Sequence, residues 1–99
     1  MMYFVALKLT KPADATEYEA LKLAIKALGP WSDRLGDTWL VETRLGAGQI
    51  RTLLKAHLQA GDRLFVGQFN QNWAGFNMGK GFPEWTKRRN FERPVTTQS

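Results

Sequence analysis

The chain has 99 residues and 43% of them are apolar. That is enough for one domain with one core, and no apolar run nears the ~18–20 residues of a membrane span. A formal charge of +5 and a pI near 9.9 lean toward an anionic partner. The absence of cysteine excludes thiol catalysis, cysteine-ligated zinc and iron–sulfur clusters. Residues 1–9 lack the charged start and apolar centre of a signal peptide, so the sequence reads as cytoplasmic.

Residues 3–9 alternate. Tyr3, Val5, Leu7 and Leu9 are apolar, while Phe4, Ala6, Lys8 and Thr10 are mixed, which predicts a strand with its odd side toward the core. Lys11-Pro12 ends it. A helix is expected over 14–28, with Asp14 as its cap, Glu17 at the reciprocal capping position, and Tyr18, Leu21, Ile25 and Leu28 on one face. Gly29-Pro30 stops it. Residues 31–35 read as a weak second strand, Gly36-Asp37 as a hairpin turn, and Thr38 to Thr43 as a third strand rich in β-branched and aromatic residues. Leu45-Gly46-Ala47-Gly48 lacks the lysine and spacing of a phosphate loop. A second helix over 47–59 would bury Ile50, Leu53, Leu54 and Leu58, and residues 63–69 form a fourth strand.

The order strand, helix, strand, strand, helix, strand predicts a ferredoxin-like α+β sandwich over residues 1–78: a four-stranded antiparallel sheet with two helices on one face. The fourth strand is apolar on both sides, so its sheet needs cover on both faces, from the C-terminal segment or from a second subunit. Residues 79–99 form a basic, aromatic extension. A short helix is expected from near Pro83 to about residue 91, and a disordered tail is expected over 93–99.

The stretch 3–12, the strand 38–43, the run Ala60-Gly61-Asp62-Arg63-Leu64 and the segment Asn72-Trp73-Ala74-Gly75-Phe76 resemble small bacterial proteins labelled SinR-like. Those are similar to the ferredoxin-like CRISPR-associated nucleases that partner the spacer integrase, and to the virulence-associated protein D ribonucleases. The likeness covers residues 3–76, and its motifs are structural, not catalytic. It implies a ferredoxin-like fold and a homodimer with packed sheets, in which Phe4, Phe65, Phe69, Trp73 and Phe76 are candidates for the interface. The nucleases carry an aspartate at the end of the first strand for a divalent metal, and the aligned position here is Lys8, which cannot ligate magnesium. No catalytic or metal-binding residue and no cofactor is therefore assigned.

Lys80, Lys87, Arg88, Arg89 and Arg93 interleave with Phe82, Trp85 and Phe91. With Lys8 they are candidates for contact with DNA or RNA, set against a solvated basic face on a docked helix. Phe65 and Phe69 suggest an RNA-binding sheet, but that fold places its aromatics on the two central strands. His57, the single histidine, is read as structural. The expected function is a non-catalytic, dimeric interaction protein with nucleic acid as a partner and no role at a membrane. The alternative is a magnesium- or His57-dependent endoribonuclease of toxin type.

Overall fold

Strand β1 (Met2–Lys8) pairs on one side with β3 (Thr38–Glu42) and on the other with β4 (Arg63–Phe69), both antiparallel. The computed structural model describes residues 1–91. A two-residue β2 (Trp31–Ser32) adds to β3, giving the order β2-β3-β1-β4, with β4 as an outer strand. A 3-10 turn (Thr16–Tyr18) leads into α1 (Glu19–Lys26), α2 (Ala47–Lys55) connects β3 to β4, and α3 (Phe82–Lys87) follows the sheet. This is the ferredoxin-like βαββαβ arrangement that the pattern of elements predicts.

Alternation along β1 sets the two faces. Tyr3 and Val5 are buried with Trp39 and Val41 of β3 against Tyr18, Leu21 and Ile25 of the first helical segment and Ile50 and Leu54 of α2. Each such aliphatic side chain contributes about 1.5–3 kcal/mol on burial. Trp31 packs beside Trp39 at 5.4 Å between ring centroids and closes this layer at the β2 edge.

The first helix begins later than expected. Asp14 makes no capping bond; the Pro12 carbonyl accepts from Ala15, the Ala15 carbonyl accepts from Tyr18, and Glu17 turns back to Lys11 at 3.0 Å. The tight turn sets Tyr18 inward, where its hydroxyl donates to Asp62 Oδ1 at 2.9 Å. Asp62 also accepts from the Thr10 amide and hydroxyl and, through Oδ2, from the Gln59 amide. One carboxylate thus joins the end of β1, the start of α1 and the turn before β4. Desolvation is the largest single influence on it and raises its pKa. The four hydrogen bonds together outweigh that and lower it to about 2.

Helix α2 starts where Gln49 Oε1 accepts the Gly46 amide at 2.9 Å. It ends at Lys55, short of the expected Gln59, because the chain tightens through Leu54–His57 and Lys55–Leu58 bonds. Leu53, expected in its buried stripe, is 51% exposed; Ile50 and Leu54 are fully buried, and Leu58 packs part-buried against the core. The second strand is cut to two residues by a turn in which the Gly36 amide donates to the Asp33 carbonyl. Helix α3 stops at Lys87, before Phe91, and Arg93 with the rest of 92–99 lies outside the described residues.

Candidate interaction face

The face of the sheet away from α1 and α2 carries Met2, Phe4, Ala6 and Lys8 from β1, Thr38, Leu40 and Glu42 from β3, and Arg63, Phe65, Gly67 and Phe69 from β4. It is aromatic because of one small residue. A Cβ on Gly67 would come within 2.5 Å of the Phe4 ring, so the glycine lets that ring lie across β4. There it stacks on Phe65 at 5.9 Å between centroids, with 29° between planes.

One end of this face is covered by the chain itself. Phe91 meets Phe69 edge-on at 5.5 Å, and Phe82 is buried between Trp73 and Trp85. Met2 is fully buried at this end. Two polar ties hold the cover. Arg34, in the β2–β3 loop, donates from its two terminal nitrogens to the carbonyls of Met78 and Lys80 at 2.9 and 3.0 Å. Glu42 accepts from the Asn90 amide at 2.9 Å and lies 3.7 Å from Arg89 Nε. Gly79, at φ +99°, makes the first tie possible: a Cβ there would collide with the Arg34 guanidinium.

Between this cover and the middle of the sheet lies an apolar cavity of about 470 Å³. Phe4, Leu35, Leu40, Phe69, Phe82 and Thr86 line it together with Trp73, Ala74, Gly75, Phe76 and Met78, which form its rim. On that rim Phe76 is 93% exposed, and Trp73 and Leu35 are half-exposed. A ring so bare beside an apolar recess is unusual on a monomer's surface.

Of the basic residues singled out in the sequence, Lys80, Lys87 and Arg88 are exposed. Arg89 is not: its guanidinium lies 5.1 Å from the Trp85 ring centroid and beside Glu42, so it anchors the extension. Lys8 sits at the other end of the open face, directly opposite Arg63. Of the aromatic candidates, Phe4, Phe65, Trp73 and Phe76 surround the uncovered part, whereas Phe69 packs on Phe91 of the same chain. His57 follows the end of α2, half-buried in a groove with Leu28, Thr43 and Leu53, on the opposite side of the molecule from this face.

Sequence reading missed Arg34, Glu42 and Arg63. Strand alternation carries the signal for Arg63, two residues before Phe65 on the same side. Arg34 and Glu42 act across more than forty residues, and no local pattern marks them. Among the described residues no group of three or more His, Cys, Asp or Glu gathers to hold a metal, and no helix is long and apolar enough to cross a membrane. Comparison with protein-family models, with curated proteins and with solved structures returned no match.

Proposed function

We propose that this protein acts by binding, as a ferredoxin-like interaction protein that pairs with a second copy of itself through the open face of its sheet. The observation that carries the reading is Phe76: a ring 93% exposed on the lip of an apolar cavity of about 470 Å³. A two-fold pair uses the same patch on both partners, so knob and hole must lie on one surface. Here they do, and each Phe76 would enter the recess of the other copy, with Trp73 and Leu35 around it. The position to which the resemblance assigns a metal-binding aspartate carries Lys8, facing Arg63. Two opposed cations favour an anion over a divalent metal, which supports binding over hydrolysis.

Light scattering coupled to gel filtration tests the pairing. The wild-type chain should run as a dimer at micromolar concentration, and Phe76→Ser should run as a folded monomer. A monomeric wild type under these conditions sinks the proposal.

A further inference from the structure

We propose that the corner of the open face formed by Phe65, Lys8 and Arg63 binds single-stranded nucleic acid, with one base stacked on Phe65 and the adjoining phosphate held between the two cations. Phe65 is 67% exposed, although it stands in the middle of an outer strand. Its ring is not loose: one side is backed by Phe4, which Gly67 holds in place, and the other is left for a planar partner. Such a fixed aromatic plane is what an unpaired base stacks on.

Lys8 and Arg63 are directly opposite each other in the β1–β4 register, on the same side as Phe65. Like charges in that relation repel. Among the described residues neither forms an ion pair. Asp62, next to Arg63 in the chain, points to the other side of the sheet, where Thr10, Tyr18 and Gln59 engage its carboxylate. An anion bound from outside would relieve that repulsion. Arg63 and Phe65 are two residues apart along a strand, about 7 Å, which suits a phosphate and its own base. A recess of about 350 Å³ runs between them, lined by Ala6, Leu7, Lys8, Arg63, Leu64 and Phe65. A duplex hides its base faces and could offer only phosphate, so the stacking plane selects a single strand.

The site shares Phe4 with the self-pairing groove, but Lys8, Arg63 and Phe65 lie outside that groove and Phe76 lies outside the site, so variants at these positions let the two proposals fail separately. Fluorescence anisotropy with short labelled single-stranded RNA, single-stranded DNA and duplex DNA, across a salt series, reads the binding. One or both single strands should bind more tightly than the duplex. Phe65→Ala should weaken binding about ten-fold, and Phe65→Tyr should retain it. Lys8→Gln and Arg63→Gln should each flatten the logarithmic salt slope by about 0.7. Phe76→Ser and Arg88→Gln should leave binding in place. Phe65 is exposed enough for its variants to fold, which circular dichroism checks. No binding at low salt, tighter binding to duplex, or equal affinity of Phe65→Ala and wild type overturns the proposal. So does a loss confined to Arg88→Gln, which would move the contact to the extension.

Discussion

The guanidinium of Arg34 lies 5.9 Å from the centroid of the Phe82 ring while its terminal nitrogens hold two carbonyls of the same segment. A single side chain in the β2–β3 loop therefore fixes the stretch that enters α3.

Arg34→Ala should release that stretch without unfolding the sheet. Hydrogen exchange of the Phe82 and Trp85 amides, which bond to the Gly79 and Gly81 carbonyls, should quicken by roughly ten-fold, about the worth of one charged hydrogen bond. The amides of β1 should keep their protection. Gly79→Ala should have a similar effect, since it combines a left-handed backbone with a clash against the guanidinium. Unchanged exchange in both variants would remove the tie.

Tyr18 and Asp62 predict an acid response. The Asp62 carboxyl titrates at about 2 in the folded chain and near 3.9 when unfolded. Its contribution to stability is thus complete above about pH 4 and is lost as pH falls toward 2. Tyr18→Phe removes one of the donors, so it should raise the Asp62 pKa and narrow this window. NMR titration of the Asp62 side-chain carboxyl carbon, with urea unfolding at several pH values, measures both. A folded-state pKa near 3.9 in the wild type would refute the network.

At Gly67 two effects oppose each other. Replacing glycine in a strand ordinarily gains about 0.5–1 kcal/mol. Here the new methyl meets the Phe4 ring and must displace it, and overpacking of this kind costs about 1–3 kcal/mol. Gly67→Ala should therefore destabilise by about 1 kcal/mol in denaturant unfolding and break the Phe4–Phe65 stack. A more stable variant would mean that the ring moves aside without cost.

Neighbouring leucines on α2 should respond very differently. Leu54 is fully buried and Leu53 is half-exposed. Leu54→Ala should lose about 2–5 kcal/mol, whereas Leu53→Ala should stay within about 0.5 kcal/mol. Equal losses would place both side chains in the core.

What the sequence made legible follows from the range of the forces. Residues 63–69 read as a strand apolar on both sides, whereas alternation in 3–9 predicted β1 because a strand half-covered by helices must alternate. The stripe Tyr18, Leu21, Ile25 predicted the buried side of α1 for the same reason. Asp14 misled because a local capping rule lost to a long-range bond: Tyr18 reaching Asp62 draws the chain into a tight turn first. Leu53 and Leu54 are neighbours at 100° on a helix, and only the position of the sheet decides between them. In the extension, Arg89 was set among the nucleic-acid candidates, although its spacing of four residues from Trp85 made their contact readable. The partnership of Arg34 with Met78 and Lys80 was not, because it depends on where two distant loops meet. Phe65 stood out as an aromatic on a strand, but Arg63 became part of its surroundings only through the register with Lys8.

Strand β1, the first of the four strands in chain order, is one of the two inner strands of the sheet. On the ribosome β1 has no neighbour to pair with until β3 is released, and its second neighbour, β4, comes later still. Until β3 is released, Tyr3 and Val5 lack their β3 neighbours Val41 and Trp39 and have only the first helical segment to pack on. The sheet can therefore close only once β4 has been made, which places the pairing of β1 on both its sides late in synthesis.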